Sequence, residues 1–322
     1  MCSSDLLAKA DPSNAQAQRD LSISYELVGN VLLQQGNAPA ALKAYQDDLA
    51  ISERLAKADP SNAQAQRDLS VSYNKVGDVL LQQGNAPAAL KAYQDALVIR
   101  ERLAKADPSN AQAQRDLSVS YDNVGDVLLQ QGNAPAALKA YQDTLVIRER
   151  LAKADPSNAQ AQRDLSVSYE RVGDVLLQQG NAPAALKAYQ DTLVISERLA
   201  KADPSNAQAQ RDLSVSYNNV GTVLLQQGNA PAALKAYQDA LVIRERLAKA
   251  DPSNAVAQRD LYGSHVRLAE TALSTNDKAG AIKQFEMGEA ILVALLARVG
   301  DNAQYTRDLA QVREFLARLK AQ

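Results

Sequence analysis

One cysteine, one histidine and no tryptophan occur among the 322 residues. With Cys2 alone, an internal disulfide framework is excluded, and with His265 alone so is a zinc site built from His and Cys. Such sparing use of cysteine fits a reducing compartment. No apolar run approaches the roughly 18 to 20 residues that span a bilayer; the nearest, ILVALLARV from Ile291, is short and belongs to an amphipathic pattern. A charged segment followed by an apolar one, the mark of a secretory signal, is absent from the start. Charge of one sign is also missing: 35 Lys and Arg against 37 Asp and Glu give a net charge of -2. No global field therefore draws the chain to nucleic acid or to an anionic membrane. With 46% hydrophobic and 22% charged residues, the chain is expected to fold. The expectation is a cytoplasmic protein with no membrane or nucleic-acid partner.

What is present is a period of 48 residues. Asp-Pro-Ser-Asn recurs at Asp11, Asp59, Asp107, Asp155, Asp203 and Asp251, and Gly-Asn-Ala-Pro at Gly36, Gly84, Gly132, Gly180 and Gly228. Two punctuation points per period imply two elements. Between Ala63 and Gln83, Leu69, Tyr73, Val76 and Leu80 fall at helical spacing and predict helix A. Between Ala86 and Ala106, Leu90, Tyr93, Leu97, Arg100 and Ala104 predict helix B, with the arginine lending its aliphatic stem to the edge of the stripe. Pro60 disfavours helical geometry at Asp59 and ends helix B there. Ser61 and Gln64 suit a capping box for the next helix A. Gly84 is placed for the left-handed conformation, Asn85 for an N-cap and Pro87 for a first turn. Glu101 and Lys105, four apart, predict a solvated ion pair.

The second unit resembles a tetratricopeptide repeat. Tyr73 stands at that family's first aromatic position, Val76 and Gly77 at its Leu-Gly pair, and Leu80 at its next large position; Ala89, Tyr93 and Ala96 match the second helix. The family's usual period is 34, and its proline falls here at Glu101, seven residues before Pro108. Seven added residues in each helix are close to two turns, so both lengthen by about 10 Å with their buried faces unrotated. The resemblance implies an all-α, right-handed superhelical solenoid of antiparallel helix hairpins. Six hairpins are expected over residues 7–300, preceded by a helix B stub at 7–10. Past Gln258 the residues change but the size pattern survives, with His265 for tyrosine, Ala269 for glycine and Phe285 for tyrosine. Residues 301–322 are expected to form a capping helix that ends the array, with Arg307, Arg313, Arg318 and Lys320 towards solvent.

Repeat register starts at Leu7, in what should be the last turns of a helix B. Residues 1–6, MCSSDL, are expected to be a non-native leader, with further chain upstream; a short natural start with a frayed stub is the alternative.

Chemistry finds little foothold. His265 stands where five sibling units place tyrosine, which favours packing over nucleophilic catalysis. No carboxylate cluster has calcium-loop spacing. The QQGNAP and DPSN turns share one glycine, too few to cradle a phosphate. The repeated Asp and Arg of QRDL suggest a structural turn, and the tyrosine stripes Tyr25 to Tyr217 and Tyr45 to Tyr237 suggest core. No enzyme and no cofactor are expected.

Where near-identical units differ, packing is expected to make no demand. The differences fall mostly on helix A, as the triplets Glu26, Leu27, Asn30; Asn74, Lys75, Asp78; Asp122, Asn123, Asp126; Glu170, Arg171, Asp174; and Asn218, Asn219, Thr222. First and third members share a helix face. The resemblance implies that this face lines a concave groove for peptides. The family's clamp for acidic C-terminal tails uses lysine and asparagine there, so Asp78, Asp126 and Asp174 speak against that ligand and for a basic or mixed peptide. Drift of solvated positions after duplication is the alternative. A second set on helix B, Asp48, Ala96, Thr144, Thr192 and Ala240 with Ser52, Arg100, Arg148, Ser196 and Arg244, is expected to reflect packing slack. The expected function is a non-catalytic interaction scaffold that binds a protein or peptide. The alternative is a sensor or oligomerisation arm of a larger signalling protein with an upstream effector, an arrangement seen in bacterial proteins with similar repeats. Self-association through the N-terminal face is a third.

Overall fold

A computed structural model describes residues 8, 10–300 and 302–321. The leader expected at residues 1–6, Cys2 included, lies outside the described residues; of the stub, Ala8 and Ala10 are helical. The described residues form 13 helices and no strand. The chain divides into two compact units, Met1–Asp155 and Pro156–Gln322.

The first unit holds α1 (Ala15–Gln34), α2 (Ala38–Ala58), α3 (Ala63–Gln82), α4 (Ala86–Ala106), α5 (Ala111–Gln130) and α6 (Ala134–Ala154). Odd and even helices alternate as A and B. Here α1 packs on α2, α3 on α4 and α5 on α6, and each hairpin meets the next through α2 on α3 and α4 on α5. The second unit holds α7 (Ala159–Gln178), α8 (Ala182–Ala202), α9 (Ala207–Gln226), α10 (Ala230–Ala250), α11 (Ala255–Ser274), α12 (Lys278–Val299) and α13 (Ala303–Ala321), packed the same way. The last helix lays Val312 and Leu316 against Phe285 and Leu292 of α12. Its basic residues Arg307, Arg313, Arg318 and Lys320 are exposed, and Arg313 and Lys320 pair at the surface with Glu289 and Glu286 of α12 at 2.7 and 2.8 Å.

The turns work mostly as their residues dictate, with one correction. Gly84 takes φ +78, Asn85 accepts the Ala88 N–H, and Pro87 sits in the first turn, so one tight link closes α3 and opens α4. Helix α3, in contrast, does not start with a capping box. Asp59 takes both the Ser61 N–H and its hydroxyl, at 3.1 and 2.6 Å, in a side-chain turn of its own. That leaves Asn62, at φ -73 and ψ 99, as the N-cap, its side-chain Oδ1 accepting the Ala65 N–H at 3.0 Å. Gln64 instead donates along the helix to Asp68.

The core repeats with the sequence. Ala41 and Tyr45 of α2 bury Val76 and Val79 of α3, and Ala89 and Tyr93 of α4 bury Val124 and Val127 of α5. Gly77 is glycine because a Cβ there would lie 2.7 Å from the Tyr93 ring. Val28 and Val31 of α1 occupy the same register as Val76 and Val79 but stand 50% and 51% exposed. Of the two tyrosine stripes only Tyr45 to Tyr237 is buried; the other is half-buried, and Tyr73, Tyr121 and Tyr217 donate to Glu53, Glu101 and Glu197 of the preceding helix B. Glu101 thus serves Tyr121, a hairpin away, in place of the Lys105 pair expected from spacing.

Candidate functional site

The third member of each helix A triplet has a partner. Tyr93 donates its hydroxyl to Asp78 Oδ1 at 2.7 Å, Tyr141 to Asp126 and Tyr189 to Asp174 at 2.6 Å, Tyr45 to Asn30 at 2.8 Å and Tyr237 to Thr222 at 3.2 Å. Packing therefore does make a demand here, for an oxygen acceptor, and any of three residue types meets it. Burial pushes the Asp78 and Asp174 carboxyls above the ordinary carboxylate range, against the tyrosine hydrogen bonds that favour ionisation. The same pairs push the Tyr93 and Tyr189 hydroxyls up, first by burial and then by the carboxylate they serve.

The other members divide between seam and surface. Asn74 and Asp122 are 9% and 8% exposed, so they sit in the helix packing and offer a ligand little surface. Arg148 reaches Asp122 Oδ2 at 2.5 Å. Lys75 lies over the Tyr45 ring, 3.1 Å from Asn30 Oδ1 and 3.4 Å from Glu26, which ties α3 to α1. Asn219 likewise donates to Glu170 at 2.9 Å, tying α9 to α7. Burial and then the neighbouring Asp174 charge raise the Glu170 carboxyl. Asn123, Arg171 and Asn218 are half-buried, and Thr222 donates back to the Asn218 carbonyl. The structure brings Glu26, Asn30, Lys75, Asp78, Asn123 and Asp126 together along one unit's A helices, and Glu170, Arg171, Asp174, Asn218, Asn219 and Thr222 along the other's.

The QRDL residues form no turn. Arg19 pairs with Asp68, Arg67 with Asp116, Arg163 with Asp212 and Arg211 with Asp260, all at 2.6 to 2.7 Å. Each arginine reaches the aspartate 49 residues on, so the motif is a staple between successive A helices.

Sequence reasoning missed a polar layer inside the stack. The helix B set read as packing slack is buried throughout, with Asp48, Ser52, Ala96, Arg100, Thr144, Arg148, Thr192, Ser196, Ala240 and Arg244 all in the interior. Arg100 is not at an edge: Nε donates to Ser70 Oγ at 3.1 Å, and Nη1 to the Asp116 carbonyl and Ser120 Oγ at 3.0 Å. Arg244 repeats this with Ser214, Asp260 and Ser264. Burial lowers the Arg100 guanidinium and brings Arg244 to about 10. In the first hairpin Asp48 replaces the alanine and Ser52 the arginine, and Asp48 accepts from both Ser22 and Ser52. The available signal was the pairing of changes at positions four apart: arginine accompanies alanine or threonine, never aspartate.

His265 is 2% exposed with Nδ1 2.8 Å from Gln284 Oε1, a packed position. Among the described residues no group of three or more His, Cys, Asp or Glu side chains could hold a metal ion, and no helix is long and apolar enough to cross a membrane.

Paired helices at a fixed period, with a glycine under a tyrosine in each of the first five pairs, define a helical-repeat protein. The tetratricopeptide repeat family model matches residues 23–61, 69–109, 117–157 and 213–253, half of the chain, and the chain belongs to that family. Such repeats indicate a protein-interaction scaffold. No curated protein sequence matches the chain. Among solved structures, BtubC from P. vanneervenii is similar over 81% of this chain and 92% of its own, at 17% identity and a TM-score of 0.61. A signal-transduction ATPase with numerous domains and a tetratricopeptide repeat sensor, from Pyrococcus horikoshii, matches 98% of this chain with 47% of its own, at 14% identity and a TM-score of 0.59. The S. pombe nuclear import adaptor Nro1 matches 92% of this chain and 99% of its own, at 11% identity and a TM-score of 0.59. At these identities the likeness is one of fold.

Proposed function

We propose that the chain is a non-catalytic scaffold that binds a basic or mixed peptide segment along its A helices, in a cytoplasmic setting. The observation that carries this reading is the row of carboxylates at Asp78 and Asp126, one per hairpin, each oriented by a buried tyrosine hydroxyl. Asp174 repeats the arrangement in the second unit. A carboxylate oriented by a hydrogen bond and partly stripped of water gains from a cation more than a freely solvated one does. The test is the triple variant Asp78→Asn, Asp126→Asn, Asp174→Asn. Asn30 already accepts from Tyr45, so the fold is expected to persist. Binding of a lysine- and arginine-rich peptide is expected to weaken about tenfold at low salt, the combined effect of removing three carboxylate charges. Unchanged affinity and salt dependence would refute the reading.

A second reading, a sensor arm of a larger signalling protein, is supported by the match of nearly the whole chain to under half of an ATPase whose repeats are described as a sensor. A fusion of this array to an effector whose activity does not respond to the array's ligand would count against it. Self-association through Val28 and Val31, exposed where their counterparts are buried, would appear as concentration-dependent size in light scattering and disappear on Val28→Lys, Val31→Lys.

A further inference from the structure

The polar layer holds a slot that the α3–α4–α5 and α9–α10–α11 interfaces fill with an arginine and the first leaves open. In the α7–α8–α9 interface Ser196 stands at the arginine position without a partnering aspartate, next to Thr192. Between α1, α2 and α3 lies a cavity of about 660 Å³, reaching inward to Ser22, Asp48, Ser52 and Ser72. The corresponding cavities at the α3–α4–α5 and α9–α10–α11 junctions measure about 420 and 430 Å³, and their linings include Arg100 and Arg244. The first cavity is half as large again because Ser52 stands where those interfaces carry the arginine.

The acceptors that hold the arginine remain. In register, Ser22 stands for Ser70, Ser72 for Ser120 and the Asp68 carbonyl for that of Asp116, the three groups that take the Arg100 guanidinium. One acceptor is added, since Asp48, 3% exposed, replaces Ala96. The basic lining residues do not oppose a cation, because Arg19 and Arg67 are the staple arginines and Arg19 is neutralised by Asp68 at 2.6 Å. Arg100 itself sits beside the equivalent Arg67–Asp116 staple. In the structure the hydroxyls satisfy one another: Ser22 and Ser72 each lie 3.1 Å from Ser52 Oγ, and Ser22 and Ser52 donate to Asp48. Rotating them exposes lone pairs to an entering donor. Exposed Asp59, Asn62 and Gln64 at the mouth give access from solvent.

We propose that this slot binds a guanidinium group presented from outside, the arginine side chain of a partner or free arginine, in the place where the α3–α4–α5 and α9–α10–α11 interfaces insert their own. It goes beyond the A-helix reading and is independent of it, since the triple asparagine variant leaves the slot intact.

The test is calorimetric titration of the full chain with L-arginine, with the blocked tripeptide acetyl-Gly-Arg-Gly-amide and with L-citrulline, which is near-isosteric but uncharged. Arginine is expected to bind at least about tenfold more tightly than citrulline, the difference made by charge-assisted hydrogen bonds. The variant Asp48→Ala, Ser52→Arg rebuilds the Ala96–Arg100 arrangement, is expected to fold with an equal or higher melting temperature, and should lose arginine binding at least about tenfold. Tripeptide binding as tight as that of arginine assigns the slot to a partner's side chain; binding of free arginine alone assigns it to the amino acid. Equal binding of citrulline, no binding of either arginine probe, or full binding retained by the rebuilt variant overturns the proposal. Should the rebuilt variant fail to fold, the arginine and citrulline comparison on the natural chain decides.

Discussion

At the scale of single residues, the asparagine that follows each DPS triplet does more than its composition suggests. Asn62→Ala removes the acceptor of the Ala65 N–H and is expected to lower stability by about 1 kcal/mol, whereas Gln64→Ala should cost a few tenths at most. Thermal unfolding of the two variants separates N-cap from capping box. Both the Ser-x-x-Gln pattern and the asparagine were visible in the sequence. What the letters did not show was that Asp59 would claim Ser61 first, a competition settled by side-chain geometry two residues apart. Similarly, Gly77 and Tyr93 were each legible as family positions, and the ring lying against the glycine gives the physical reason that the two go together.

Between elements, the decisive contacts are the ones hydropathy hides. A search for apolar periodicity finds Val76 and Leu80, and from them the helices and their pairing. It treats Ser70, Ser72, Ser118 and Ser120 as neutral filler, yet these serines are 0 to 2% exposed and floor the polar layer. Nor can it see that Arg100 turns inward, because an arginine on the edge of a stripe ordinarily keeps its head in water. The ion pair of α6 with α5 makes a direct test. Arg148→Ala removes the cation facing Asp122 Oδ2 and is expected to cost about 3 to 5 kcal/mol in urea unfolding. Adding Asp122→Asn should recover part of that loss, and a strictly additive pair would mean the two residues do not interact.

For the whole molecule, the period predicts its tolerance. Excising residues 63–110 joins Asn62 to Ala111 in register, and the product is expected to unfold cooperatively with helicity reduced in proportion. Collapse to a state that has helix but no cooperative melting would contradict a nearest-neighbour stack. Stability should also vary with pH in a set direction. Asp48, Asp78, Glu170 and Asp174 have native carboxyls raised above their unfolded values, so the native state binds more protons in that window. Stability is therefore expected to rise as pH is lowered from neutral through the raised values. Below the ordinary carboxylate range it should fall, because Asp11, Asp59, Asp107, Asp203 and Asp251 are held low chiefly by their serine hydrogen bonds, and what they contribute is lost there. Urea midpoints across acidic pH measure both limbs, and Asp78→Asn with Asp174→Asn should flatten the first. The period and the hairpins could be read from letters alone; the slot could not, because it exists only where three helices meet.

The Arg–Asp staple has a consequence for inheritance. At each of the four stapled junctions one hairpin offers an arginine forward and the next an aspartate backward in the same places, so these copies are competent neighbours for one another. Misaligned recombination between the near-identical DNA segments that encode them would change the number of copies while leaving each new junction matched in charge and register. The exception is the Asp48–Ser52 hairpin, whose duplication would duplicate the open slot, giving this lineage a way to multiply a site rather than merely lengthen a protein.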